Sequence, residues 1–303
     1  MAVIALLALV LDVLIGWPDA VYRRVGHPVT WARGLIAALD RTLNMGRARR
    51  AQGALTVLVV LLAAMIPAVL IQAWLGPWVA AVLAWPLVAA RSLDQHLRAV
   101  ARPLAAGDLA AARGATAMIV GRDVTQADTP ALSRASLESL AENFSDGVIA
   151  PLFWAAVGGL PGIAAYKAIN TMDSMIGHRT PRHEAFGMIA ARLDDVANLI
   201  PARLSAGLIA IASGRRRGAA LRVTLRDASA HRSPNAGWPE GAMAGALDCR
   251  LSGPRVYADR VADEPWLNAA APRPDAADLR RGIALIRRAT VVAALLLAAV
   301  ALL

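Results

Sequence analysis

Cysteine and lysine occur once each in this 303-residue chain, as Cys249 and Lys167, and phenylalanine and tyrosine occur three times each. A lone cysteine excludes an internal disulfide framework and any multi-cysteine metal site, and Cys249 is read as an inert small residue. No Walker A loop, GxGxxG, HExxH or paired CxxC pattern is present, so the common nucleotide and zinc signatures are missing. No stretch alternates apolar and polar residues as a half-buried strand does, and no internal repeat of fixed period appears. Charge is scarce as well: 18% of residues are charged against 57% apolar, an imbalance foreign to an average soluble domain.

In their place stand apolar runs that approach or exceed the roughly 18–20 residues needed to cross a bilayer. The sequence reads as an all-α, polytopic integral membrane protein with cytoplasmic helical segments and re-entrant helices, built as a single membrane-embedded domain over residues 1–303. Membrane helices are expected at about 1–16, 53–75, 77–90 and 289–303. Residues 1–16 lack the basic leader and cleavage site of a signal peptide and read as a retained first helix. Pro67 is expected to kink its helix, Gly76-Pro77 to make a tight turn, and Trp74, Trp78 and Trp85 to anchor helix ends at the interface. The stretches 147–165, interrupted by Gly158-Gly-Leu-Pro-Gly162, and 199–213 read as re-entrant or spanning. The net charge of +10 is carried almost entirely by arginines beside apolar runs, which fits the positive-inside rule rather than nucleic acid. That bias puts a polar loop at 17–52, two or three helices in 91–146, and the segments 167–198 and 214–288 on the cytoplasmic side of the inner cell membrane.

Polar side chains are costly to bury without partners, so those kept beside apolar runs need a reason to be there. Glu138, Glu142 and Asp146 fall at i, i+4 and i+8, a row of hard oxygen ligands on one helix face. Mg²⁺ takes one or two carboxylates plus phosphate oxygens, which suits such a row, although a solvated helix face has the same spacing. Lys167, Asn170 and Ser174 share a helical stripe with Asp173 adjacent, a set that suits a phosphate and its metal. The competing reading is a lysine snorkelling from the end of an apolar segment. In Ala191-Arg-Leu-Asp-Asp, Asp194 pairs with Asn198 one turn on, Asp195 is adjacent, and Arg192 is suited to hold phosphate or to form a local ion pair. His231-Arg-Ser-Pro-Asn-Ala-Gly-Trp-Pro-Glu240 is a turn-rich loop in which His231 and Glu240 are candidates for acid–base work, or else ordinary surface positions. His27-Pro28 reads as structural, and His96, His178 and His183 as ordinary polar positions.

At these residues the chain resembles the CobD/CbiB family of cobalamin biosynthesis, the membrane-bound adenosylcobinamide-phosphate synthases. The resemblance rests on Glu138-Ser-Leu-Ala-Glu-Asn with Ser145-Asp-Gly, and on Tyr166-Lys-Ala-Ile-Asn-Thr-Met-Asp-Ser-Met with Gly177. It continues through Ala191-Arg-Leu-Asp-Asp, Asn198, Ile200-Pro-Ala-Arg, Ser233-Pro-Asn-Ala-Gly, Pro239-Glu and Ala244-Gly-Ala-Leu, with an early Leu11-Asp, Gly16-Trp-Pro and His27-Pro. Phe144 departs from the pattern where a small polar residue is expected, and 258–288 is less recognisable, so nothing is carried over there.

The resemblance implies joining a side-chain carboxylate of adenosylcobyric acid to aminopropanol or its O-phosphate, with ATP and Mg²⁺. Membrane lipid and other late cobalamin-assembly membrane enzymes are the further expected partners, nucleic acid is not one, and the oligomeric state stays open. Residue chemistry, rather than the resemblance, assigns the roles. Glu142, Asp146, Asp173, Asp194 and Asp195 are expected to bind metal. Lys167, Asn170, Ser174 and Arg192 are expected to hold phosphate groups and Asn235 the corrin side chain, with Lys167, His231 and Glu240 as catalytic groups. A transporter, with ionisable residues at broken helices near mid-membrane, and a non-catalytic membrane sensor or scaffold remain alternatives.

Overall fold

The computed structural model describes residues 1–256 and 261–303, so positions 257–260 of the expected 214–288 segment lie outside the described residues. Helices come first as α1 Ala2–Leu14, α2 Asp19–Val25, α3 Pro28–Leu43 and α4 Arg49–Ala84. There follow α5 Ala90–Ala105, α6 Leu109–Ala117, α7 Thr129–Phe144, α8 Ala150–Ile176, α9 Met188–Ala197 and α10 Leu199–Ala212. The last are α11 Arg217–Asp227, α12 Gly237–Leu247 and α13 Ala276–Leu302. Strands among the described residues are two-residue pieces: β1 Leu251–Ser252, β2 Arg255–Val256, β3 Val261–Ala262 and β4 Trp266–Leu267. β1 pairs antiparallel with β4 and β2 with β3. Ladders this short leave no period-2 pattern to read.

Local chemistry explains most boundaries. Asp108 and Asp128 cap α6 and α7 by accepting the amides of Ala111 at 3.0 Å and Ala131 at 2.8 Å, and Pro130 sits in the first turn of α7. The expected polar loop at 17–52 is instead largely helical, because His27 caps α3: its Nδ1 accepts the Val29 amide at 3.1 Å, and Thr30 returns a bond to the His27 amide. That confirms His27 as structural. α4 passes Pro67 without a non-helical residue and breaks instead at Gly76, where φ is 78°. Trp74 and Trp78 flank that break at 79% and 68% exposure. Trp85 does not join them; its ring packs edge-on against Trp17 at 5.7 Å. α8 breaks at Gly159, with φ 63°, and the chain turns so sharply that a Cβ on Gly162 would stand 2.2 Å from the Trp154 carbonyl oxygen. A straight helix would set those residues about 12 Å apart. The expected interruption at 158–162 is therefore a sharp turn of the chain.

Among the described residues, three helical stretches are long and apolar enough to cross a membrane, Arg49–Ala105, Thr129–Ile176 and Ala276–Leu302, or up to five spans if two bent helix pairs each count as one. α1 has only 13 residues and reaches span length only together with α2 and α3, across a bend of 113°. α13 begins thirteen residues before the apolar segment expected at 289–303, so its arginines and its apolar end form one continuous helix.

The chain divides into two compact units. The first comprises Met1–Ala89, Ala150–Asn198 and Leu296–Leu303. Its core gathers Ile36, Val57, Val60, Met172, Ile176 and Phe186 from α3, α4, α8 and the connection to α9. Gly53 permits this packing, since a Cβ there would stand 1.9 Å from the Phe186 carbonyl oxygen. The second unit comprises Ala90–Ile149 and Leu199–Leu295. α5 is amphipathic there, burying Leu93, Leu97, Val100 and Leu104 and turning Arg91, Asp94, Arg98 and Arg102 away from them. α12 is the most enclosed helix described, buried from Pro239 to Leu247.

Candidate active site

In the first unit α8 and α9 build one hydrogen-bonded chain. Tyr166, buried to 1% exposure, donates its hydroxyl to Asn198 Oδ1 at 2.9 Å. Asn198 Nδ2 donates to Asp194 Oδ2 at 2.9 Å, and Asn170 Nδ2 reaches Asp194 Oδ1 at 3.4 Å. Each carboxylate oxygen of Asp194 thus meets one amide donor and keeps a second lone pair for a cation. Asp173 stands close enough for its charge to oppose that of Asp194, with Asp195 a weaker third influence. Like charges repel, so carboxylates that oppose each other in this way gain from a divalent ion. These donors fit Mg²⁺ held by two carboxylates and completed by phosphate or water oxygens. Among the described residues, no three His, Cys, Asp or Glu side chains gather into a protein-only cage.

Lys167 is half-buried one turn before Asp173's neighbours, and its charge is felt at His27. Ser174 is exposed and donates to the Asn170 carbonyl at 2.9 Å. Arg192 is exposed and lies 3.8 Å from Asp195, the local ion pair weighed as its alternative. The 177–187 connection that sets α9 against α8 is fastened by Asp40, which accepts from Arg182 Nη2 at 2.7 Å and Asn44 Nδ2 at 2.8 Å and faces His183 Nε2 at 3.3 Å. His183 is therefore part of a clamp rather than an ordinary polar position.

The second unit holds the other candidates. The acidic row of α7 is split, contrary to its expected single ladder. Glu138 is buried, with Arg122 Nη2 at 2.5 Å and Arg134 Nε at 3.8 Å, and it accepts the Ser252 amide at 2.8 Å. A carboxylate so compensated is a structural tie between α7 and β1. Glu142 is exposed and Asp146 half-buried, and a π-helical turn, Ser145–Ile149, begins between them. Such turns add a residue to the helical repeat and often mark functional sites. Phe144, the departure from the family pattern, is fully buried.

His231 and Glu240 are both buried, with Nε2 and Oε1 3.9 Å apart. His231 Nδ1 accepts the Ser233 amide at 3.0 Å, so in the neutral ring the proton resides on Nε2, on the side of Glu240. Asn235 is buried and its Oδ1 accepts from Arg203 Nη1 at 2.9 Å, while the Arg203 guanidinium lies 4.4 Å from the centre of the Trp238 ring. Sequence reasoning missed Arg203 and Tyr166 as supports, although both stand inside the recognised motifs. Arg122 carries no sequence signal at all.

The chain matches the model of the CobD/Cbib protein family over residues 5–286. It is 59% identical over 294 residues to the cobalamin biosynthesis protein CobD of Rhodobacter capsulatus, covering 95% of this chain and 93% of that one. The protein of the same name from Sinorhizobium fredii is 46% identical over 281 residues, covering 88% and 86%, and that from Klebsiella pneumoniae 42% identical over 297 residues, covering 92% and 91%. No solved structure matches. With the family model spanning most of its length and relatives this similar, the chain belongs to the CobD/CbiB family.

Proposed function

We propose that this protein acts in cobalamin biosynthesis as an ATP-dependent ligase, joining a side-chain carboxylate of adenosylcobyric acid to (R)-1-aminopropan-2-ol or its O-phosphate. Family membership supports the pathway, and the observation that carries the chemistry is Asp194 of α9, held by Asn170 and by Asn198, which Tyr166 supports, with its charge opposed by Asp173 on the helix of the only lysine. A carboxylate is a poor electrophile because its leaving group would be oxide. Attack of its oxygen on the γ-phosphorus of ATP releases ADP and gives an acyl phosphate. The amine then attacks the acyl carbon, inorganic phosphate leaves, and the nitrogen loses a proton as the amide forms. Such transfers are accelerated mainly by positioning and charge neutralisation.

Asp173 and Asp194 would hold Mg²⁺, and the ion would supply neutralisation of phosphate charge. Lys167 binds phosphate oxygens as a point charge, supported by Asn170, Ser174 and Arg192. Glu240, with His231 beside it, accepts the ammonium proton, and Asn235 orients an amide of the corrin periphery. Arginine-rich flanks support a site on the cytoplasmic side of the inner membrane, where ATP is available. The test supplies purified protein with adenosylcobyric acid, Mg²⁺, ATP and each form of the amine. One ADP per amide is expected from the wild type, and none above background from Lys167→Met or Asp173→Asn, both still membrane-inserted. Amide formation without ATP, or near-normal turnover in either variant, would refute this reading.

A further inference from the structure

Two clefts in the second unit lie on either side of Ala284 in α13, and both are lined by arginine. One, of about 430 Å³, is lined by Arg98 and Arg102 of α5 and by Arg280 and Arg287 of α13. The other, of about 530 Å³, is lined by Arg216, Arg281, Arg287 and Arg288. The carboxylates nearby compensate only part of this charge. Asp94 is shared between Arg98 at 2.7 Å and Arg287 at 2.6 Å, Asp248 meets Arg216 at 3.0 Å, and Asp278 meets Arg281. Among the described residues, no carboxylate stands within ion-pair range of Arg102 or Arg280. All four arginines of the first cleft are solvent-exposed, so the unmatched charge faces outward.

The same helix face changes character one turn later. Arg280, Ala284, Arg287, Val291 and Leu295 follow at helical spacing along a single stripe, and beyond Arg288 α13 carries no charged residue. Val291 and Leu295 on that stripe are 58% and 65% exposed. Arg287 and Val291 are separated by about 6 Å along the axis. A cationic cleft opening directly onto an exposed aliphatic face matches an amphiphile with an anionic head and apolar tails. A soluble phosphate would have no use for the second half. We infer that the Arg98–Arg102–Arg280–Arg287 cleft binds the phosphodiester headgroup of an anionic phospholipid, whose acyl chains lie along Val291 and Leu295. Guanidinium groups match phosphate oxygens in pairs, and basic clefts beside spanning helices are suited to such headgroups. This site is separate from the residues assigned to the amide-forming reaction.

The test uses the full chain in neutral detergent, titrated with an equimolar mixture of phosphatidylglycerol and phosphatidylcholine and read by native mass spectrometry. Phosphatidylglycerol adducts should exceed phosphatidylcholine adducts several-fold, and Arg102→Gln with Arg280→Gln should lower them by about tenfold. An equal charge change elsewhere, Arg47→Gln with Arg50→Gln, should leave them within about twofold. Raising salt from about 0.05 to 0.5 M should weaken phosphatidylglycerol retention by the wild type, a readout that needs no variant. Equal retention of the two lipids, equal loss in both double variants, salt-independent retention, or full displacement by millimolar glycerol phosphate would each overturn the assignment.

Discussion

Gln72 Oε1 of α4 accepts the backbone amide of Leu160 at 2.7 Å, immediately after the break in α8 at Gly159. The non-helical Gly159 deprives that amide of its usual carbonyl, and a neutral side chain from another helix replaces it. The break in α8 is thus satisfied by a neutral amide side chain rather than by an ionisable group.

Replacing Gln72 by Leu keeps the side chain's bulk but removes the acceptor. An unsatisfied amide in an apolar setting costs about 1–3 kcal/mol, so Gln72→Leu should unfold several degrees below the wild type in detergent. Gln72→Glu, which retains an acceptor, should lose less. Equal melting temperatures for Gln72→Leu and the wild type would show that the contact contributes nothing.

Tyr166 touches neither metal nor phosphate in the proposed site; it holds Asn198, which holds Asp194. Removing such a support typically weakens metal affinity about 10–100-fold. Tyr166→Phe should therefore raise the Mg²⁺ concentration needed for half-maximal amide formation by about tenfold, leaving most of the rate at saturating Mg²⁺. Chelation should abolish activity in both proteins, and added Mg²⁺ should restore it. An unchanged Mg²⁺ requirement in Tyr166→Phe would place the metal away from Asp194.

Glu138 gives the opposite prediction. Its charge is matched by Arg122 and Arg134 in a buried setting, so Glu138→Gln leaves two guanidinium groups undercompensated. Breaking a buried pair from one side costs about 3–5 kcal/mol. The variant should melt well below the wild type, yet whatever remains folded should show the wild-type Mg²⁺ requirement. A weakened Mg²⁺ requirement without loss of stability would return Glu138 to the metal site.

The contrast between these residues shows what the sequence could disclose. Gly76-Pro77 and Gly158–Gly162 were legible because glycine and proline act within a few positions of themselves. The spacing of Glu138 predicted a face shared with Glu142 and Asp146. The face was instead decided by Arg122 and the Ser252 amide, 16 and 114 residues away, which no local pattern reports. Pro67 misled in the other direction, since a helix among other apolar helices tolerates a missing amide that would break it in water. The Asp194–Asn198 pair was visible as an i, i+4 spacing, whereas Tyr166, 32 residues from Asn198, became its partner only through the packing of α8 on α9.

Cys249 completes the set with a pH dependence. Its side chain is fully buried, and burial first, then the nearby Asp278 charge, pushes the thiol up to about 12 from an ordinary 9.0. Native protein at pH 8 should therefore resist maleimide, while protein unfolded in detergent and urea should label completely. The linkage runs in one direction. Below pH 9.0 the thiol is protonated in both states and contributes no pH dependence. Between 9.0 and about 12 the unfolded chain loses the proton and the folded chain keeps it, so stability falls as pH rises through that window. Cys249→Ala removes the ionisable group at the modest cost of a small cavity. Its melting temperature should sit slightly below the wild type at pH 7, and the gap should narrow as the pH is raised to 10. A gap that stays constant with pH, or rapid labelling of the native protein, would mean that the thiol is open to solvent.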